Sequence, residues 1–311
     1  MSIAEIDRAM GFAPDYDSPV PYMARTRAYY QAIGYDPYRW AHYRDVPFTP
    51  FTKKLSESRI GLITTAAPYD PAKGDQGPGA AYNSGAKFYV PYSGDTSVDH
   101  DLRISHIGYD RKHTTATDCN SWFPLPALRN AVKAGRIKEI SPRFHGAPTN
   151  RSHRHTIEID CPELVKRCQE DAVDAVILVP NCPVCHQTCC LVARALEAAG
   201  IPTVIMGCAK DIVEHCGVPR FLFNDFPLGN SAGKPHDPES QARTLELALR
   251  LLETAPGPRT TVQNPIRWNE DGLWKNDYNN LEQIGEAELT RRREEFLKQK
   301  EIAKGLRGKA A

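Results

Sequence analysis

Four cysteines and a histidine crowd into the run Cys182-Pro183-Val184-Cys185-His186-Gln187-Thr188-Cys189-Cys190. Two sulfurs two residues apart suit two-electron chemistry, in which one thiolate attacks and the other closes a disulfide. The expected roles are Cys182 as nucleophile, Cys185 as resolving thiol and His186 as the group sharing a proton with either. The same pair also suits metal ligation, and packing as small buried residues stays open. On a helix, Cys189 falls one turn after Cys185 and shares its face, whereas Cys190 points about 100° away and is expected in packing. A metal site would draw on Cys182, Cys185 and Cys189, with zinc or iron as the ion. A four-cysteine structural zinc site needs a second pair at similar spacing, and there is none. Any metal must recruit distant side chains, His106 among them.

These residues need a strand and a helix to position them. The run Asp174-Ala175-Val176-Ile177-Leu178-Val179 reads as a buried strand, and Gln187 to Ala198 as a helix stopped by Gly200. Cys182 then lies in the strand-to-helix turn and Cys185 in the first helical turn. Unpaired N–H groups and the positive end of the helix dipole there favour thiolate over thiol. Cys182, preceding the helix, is expected to be the more exposed sulfur and to face solvent.

Strands at Ala172 to Val179, Pro202 to Met206 and Arg220 to Asn224 alternate with helices, which is the grammar of a parallel sheet covered on both faces. In such sheets ligands gather at the carboxyl ends of the strands. The first half offers strands at Ile60 to Thr64, Phe88 to Val90 and Leu102 to His106, with helices at Pro124 to Ala134 and Pro162 to Glu170. The expected fold class is α/β, a doubly wound parallel sheet in two related subdomains, 57–170 and 171–258. An aromatic-rich N-terminal extension, 1–56, contains a helix from Tyr22 to Ile33. After a helix from Pro238 to Leu252 and the linker Pro256-Gly257-Pro258, a C-terminal extension, 259–311, carries a charged helix, Glu286 to Lys304, that is mostly solvated or lies on a partner.

Two polar clusters follow strands and are expected to converge on the sulfurs as substrate-binding groups: His106 and Asp110 in one, Asp225 in the other. Asp225 is placed to orient His186 or to hold a substrate cation, with turn capping as the alternative for each cluster. The basic run Arg151-Ser152-His153-Arg154-His155 suits an anion or an exposed loop equally. Cys119, Cys161, Cys168, Cys208 and Cys216 read as small hydrophobes.

The 311-residue chain has a formal net charge of +1, which gives no general attraction to nucleic acid or anionic membrane. Nine cysteines, an odd number, fit a reducing compartment better than a disulfide framework. The N-terminal stretch resembles neither a secretory signal nor a transit peptide, and a cytoplasmic location is expected. Neither a Gly-rich dinucleotide fingerprint nor a phosphate-loop motif is present. The partners expected are a small-molecule substrate and a thiol reductant, and the aromatic extensions suit a homo-oligomer.

The run DAVILVPNCPVCHQTCCLVARALEAAGIPTVIM resembles the active-site segment of the glycine, sarcosine, betaine and D-proline reductase B subunits. In that family a strand leads to selenocysteine-x-x-cysteine-x-x-cysteine and then to a helix ending in Gly-Ile-Pro. Asp45 to Pro50, Leu55 to Thr65 and Asp101 to His106 are also similar, so the resemblance spans roughly residues 20 to 260. It implies that Cys182 stands where the family has selenocysteine and that Cys185 matches the next cysteine. Thr188 takes the third position, with Cys189 one place late. The activity implied is a reductase's: cleavage of a carbon–nitrogen bond in an amino acid or its N-methyl derivative, with a companion subunit supplying a carbonyl group. A thiol is less acidic than a selenol and its thiolate a poorer leaving group, so sulfur implies slower turnover or an easier substrate.

Overall fold

The structure is a computed structural model that describes residues 17–310; residues 1–16, with that part of the N-terminal reading, lie outside the described residues. Ten strands occur in chain order: β1 (Arg59–Thr64), β2 (Ala67–Pro68), β3 (Tyr92–Asp95), β4 (Leu102–Arg103), β5 (Glu139–Ile140), β6 (Arg143–Gly146), β7 (Ala175–Val179), β8 (Thr203–Gly207), β9 (Arg220–Phe223) and β10 (Thr260–Gln263). The longer helices are α1 (Tyr22–Ala32), α2 (Leu125–Lys133), α3 (Cys161–Glu170), α4 (Pro183–Ala198), α5 (Lys210–Cys216), α6 (Pro238–Thr254) and α7 (Glu286–Ala310).

One eight-stranded sheet runs β10-β9-β8-β7-β1-β6-β3, with β5 also paired to β1. All its pairings are parallel except β3 with β6. The central strand Ala175–Val179 is buried throughout, as its unbroken apolar run requires when both faces are covered. Alternate residues serve opposite faces. Ile60, Leu62 and Ile177 pack with Leu125 and Leu128 of α2 and Leu245 and Leu249 of α6. Ile63, Val176 and Leu178 pack with Leu164 of α3 and Val192 and Leu196 of α4. The doubly wound α/β class is thus observed. Strands from 57–170 and 171–258 join in this single sheet, because β1 pairs with β7 along five residues, Ile60↔Ala175 through Thr64↔Val179.

The chain leaves β1 towards β6 on one side and β7 towards β8 on the other. A crevice opens at the carboxyl ends of adjacent strands whose connections depart in opposite directions. The turn after β7 contains Cys182, so the topology alone brings the cysteine run to this switch point.

Several local expectations change. Phe88 to Val90 is not a strand, and Leu102 to His106 is extended only at β4, which pairs with β2. The charged helix at the C-terminus is mostly exposed, as expected, and its remaining contacts are with its own body: Phe296 is buried against Tyr35, and Gln299 accepts hydrogen bonds from the Ser84 backbone and hydroxyl at 2.9 and 2.7 Å. Among the described residues, no helix is long and apolar enough to cross a membrane.

Candidate active site

Cys182 is the N-cap of α4, in extended conformation, and Pro183 follows in the first turn, where its missing N–H costs nothing. Its Sγ accepts the backbone N–H of Cys185 at 3.2 Å, the bond a serine or aspartate cap would accept through oxygen. The two cysteines are joined as a disulfide with a Cα–Cα distance of 4.9 Å. A negative sulfur at position 182 would sit on the helix N-terminus with one N–H already aimed at it.

Cys182 is 4% exposed and Cys185 0%, so the expectation of a solvent-facing sulfur is corrected. The aromatic extensions fold over the helix start. Tyr38 packs against the cysteines from the N-terminal side. From the other side comes Gly108, where an added Cβ would stand 3.1 Å from Pro183 and 3.8 Å from Cys182 Cβ. Glycine permits that approach, and Tyr278 of the C-terminal extension fixes it by donating its hydroxyl to the Gly108 carbonyl at 2.9 Å.

His186 does not share protons with the sulfurs. Its Nδ1 lies 2.7 Å from the Cys182 carbonyl and must donate to it, which leaves Nε2 to accept the N–H groups of Cys208 and Ala209 at 2.9 and 3.2 Å. Burial holds the imidazole neutral, lowering its pKa to about 4. The ring is a clamp between the start of α4 and the turn after β8. Sequence spacing places it beside the cysteines but cannot show that both nitrogens are spent on backbone.

Cys189 is likewise corrected as a metal ligand: it is fully buried in the core beneath α4, and burial raises its thiol pKa. Asp225 neither orients His186 nor stands free for a substrate cation, being ion-paired to the Lys275 ammonium. Asp110 uses Oδ1 to accept the N–H groups of Lys112 and His113 at 3.1 and 3.2 Å, as a turn cap; its Oδ2 has no partner among the described residues. Burial raises its pKa, and it lines a cavity of about 500 Å³ with Tyr278 and Asp277.

His106 is the histidine brought to the sulfurs. One nitrogen of its ring and the sulfurs of Cys182 and Cys185 all lie within 4.8 Å of one another. The residue is 3% exposed, and neither ring nitrogen has a hydrogen-bond partner among the described residues. Burial, reinforced by Lys87, Arg151 and Arg111, drives its pKa well below the ordinary histidine value, so the ring is neutral. Asn181, immediately before Cys182, also has both side-chain amide atoms buried without a partner among the described residues. Unpartnered polar groups at one place imply a site built to receive something.

Several contributors from outside the cysteine run were not expected. Thr149, after β6, donates its hydroxyl to Cys185 Sγ at 3.5 Å. Lys87 donates to the Thr149 carbonyl at 2.9 Å. Lys87, Tyr38 and Asn150 line a cavity of about 740 Å³, together with Arg39, Arg151, Arg154, Lys300, Lys304 and the rings of Tyr30, Tyr35 and Phe296. Among the described residues, Asp36 is the one acid against six lysines and arginines in this lining. The Arg151 guanidinium stands over Tyr30, Tyr35 and Phe296, 5.4 to 5.9 Å from the ring centres. The basic run at 151–155 therefore contributes to the wall of this cavity, which touches the sulfur site only through Tyr38 and the Lys87–Thr149 link.

Comparison with known proteins gives consistent matches. Residues 36–181 match the family described as glycine/sarcosine/betaine reductase selenoprotein B, a match ending one residue before Cys182. The chain is 32% identical over 225 residues, 71% of its length and 89% of the relative's, to D-proline reductase subunit gamma of Acetoanaerobium sticklandii. It is 24% identical over 222 residues to glycine reductase complex component B subunit gamma of Symbiobacterium thermophilum, covering 70% of this chain and 51% of that one. It is 25% identical over 233 residues to sarcosine reductase complex component B subunit beta of Peptoclostridium acidaminophilum, covering 70% and 50%. The chain thus spans about half the length of these last two relatives. No solved structure matches.

Proposed function

Because the chain belongs to the glycine/sarcosine/betaine reductase selenoprotein B family, we propose that it is the thiol-bearing component of a reductase complex, with Cys182 and Cys185 as its redox pair. The substrate is a small amino-acid-like molecule whose carbon–nitrogen, or other carbon–heteroatom, bond is cleaved reductively. A companion subunit takes part, since the relatives are named as components or subunits of reductases.

In the dithiol state Cys182 attacks the activated substrate as thiolate, displacing the amine, which leaves with a proton. Cys185 then attacks Cys182 Sγ, forming the disulfide and releasing the reduced carbon, which takes up a proton. Two thiols are oxidised and one carbon–nitrogen bond is reduced; an external dithiol restores the pair. The division of labour follows the geometry, since Cys182 is the less buried sulfur and the one receiving the helix N–H. The large cation-lined cavity suits the carboxylate of such a substrate. His106 is the neutral base nearest the sulfurs and takes the proton role expected of His186.

The single observation that carries this reading is the Cys182–Cys185 pair at a helix N-terminus, at the switch point of a parallel sheet. The experiment is substrate-dependent dithiol consumption by the chain with its companion subunit, using small amino acids and their N-methyl derivatives. Cys182→Ser, which retains an N-cap oxygen, is expected to abolish turnover while leaving the fold and melting temperature nearly unchanged. Full turnover in that variant removes the mechanism.

A further inference from the structure

We propose that the dithiol state holds a divalent metal site, made by Cys182, Cys185 and His106 and suited to Zn²⁺, which disulfide formation abolishes. The inference rests on the reading above only in requiring that the pair be reducible in the folded chain.

The three ligand side chains are already neighbours. Their ligand atoms lie within 4.8 Å of one another, and tetrahedral zinc with sulfur and nitrogen ligands places them roughly 3.4 to 3.8 Å apart. Reduction frees the two bonded sulfurs to part to that spacing, with the imidazole nitrogen drawing in. The imidazole is enclosed and, among the described residues, without a partner at either nitrogen, a state that buried histidines avoid unless something occupies the ring.

Supporting bonds fix the ligands from behind. The backbone around His106 is held by Arg111, whose guanidinium donates to the carbonyls of His106 and Ile107 at 2.9 and 2.7 Å. The Thr149 hydroxyl donates to Cys185 Sγ, and the Cys185 N–H to Cys182 Sγ. Donors aimed at ligand sulfurs are what outer contacts of a thiolate–metal site provide. The two thiolates carry a −2 charge that balances a +2 ion.

Binding replaces two S–H bonds by two metal–sulfur bonds and releases two protons, with no change of oxidation state. Two cysteines and one histidine leave the fourth position open. While the metal is present, neither sulfur is free to attack substrate or to close the disulfide. A metal-loaded chain is therefore protected from oxidation and inactive as a reductase.

Cobalt is the probe. The full chain, reduced anaerobically and stripped of metal, is titrated with Co²⁺ while free thiols are counted on a parallel sample. One Co²⁺ per chain is expected, with sulfur-to-cobalt charge transfer in the near ultraviolet and the intense visible bands of tetrahedral cobalt. One equivalent of Zn²⁺ should displace it, and the oxidised chain should give no such spectrum. His106→Ala and the bulkier His106→Gln should each weaken binding at least tenfold, whereas Cys189→Ala should leave it unchanged. A folded chain with all nine thiols countable and no cobalt spectrum overturns the site while sparing the redox reading. Full affinity in both His106 variants, or loss of the site in Cys189→Ala, also overturns it. A pair that cannot be reduced in the folded chain sinks both proposals.

Discussion

Lys87 and Thr149 are joined by a 2.9 Å hydrogen bond from ammonium to carbonyl, and through it the wall of the cation-lined cavity is tied to the sulfur of Cys185. Lys87 lies in the connection from β1 to β3 and Thr149 just after β6, 62 residues apart. In the proposed reductase, this pairing puts the group that recognises a carboxylate on the same strut that supports the resolving thiol.

Lys87→Met removes the ammonium and keeps much of the side-chain volume. A charge-assisted hydrogen bond is worth roughly 1.5–3 kcal/mol, so kcat/KM for a carboxylate substrate should fall about tenfold or more, mainly through KM. The corresponding amide substrate should lose far less. Equal losses for acid and amide would show that the lysine serves only to hold Thr149.

Tyr38 covers the cysteines and is held by the Gln187 side-chain amide, which donates to its hydroxyl at 2.8 Å. Tyr38→Ala should open a path from the cavity and raise the alkylation rate of Cys182 in the reduced protein, by about tenfold if the enclosed state limits access. Phe at this position should not. An unchanged rate in the alanine variant would mean that reagents reach the sulfur by way of Gly108 and Tyr278 instead.

The His186 clamp has a pH signature. Its ring titrates near 6.5 when unfolded and at about 4 in the fold. Between those values the unfolded chain binds a proton that the folded chain refuses. The clamp's contribution is therefore complete above pH ~6.5 and drains as the pH falls towards about 4, by up to ~1.4 kcal/mol per pH unit. His186→Asn should lower stability at neutral pH by about 1–3 kcal/mol, since buried backbone groups at Cys182, Cys208 and Ala209 lose their partner. It should also flatten the acid-side loss by one proton's slope. Urea denaturation at successive pH values checks both, and parallel pH profiles for variant and parent would contradict the assignment.

Local signals carried the central part of the site. An unbroken apolar strand and a helix ended by Gly200 locate Cys182 and Cys185 on the carboxyl edge of the sheet, and the structure places them there, with the helix starting at Pro183 rather than Gln187. Partners arriving from elsewhere in the chain left no such trace. Thr149 follows β6, whose Arg143-Phe144-His145-Gly146 does not read as a strand because its polar members turn to Asp171, Arg143 ion-paired to it at 2.7 Å and the His145 ring 3.1 Å from its carboxylate. Exposure failed for the same reason. Nothing in the cysteine run reveals that Tyr38 and Gly108, 144 and 74 residues before Cys182, close over it. His186 shows the opposite error, because adjacency in sequence suggested chemistry where helix geometry turned the ring to backbone groups.

The account stands on Cys182 and Cys185 forming a reversible disulfide in the folded protein. Differential labelling with mass mapping reads this directly: one alkylating reagent is applied to the unfolded oxidised protein, and a second after reduction. The prediction is nine labelled thiols in the reduced chain and seven in the oxidised one, with the second label confined to positions 182 and 185 and recovered over repeated cycles. Nine thiols in both states, or a second label at any other pair of cysteines, would contradict it.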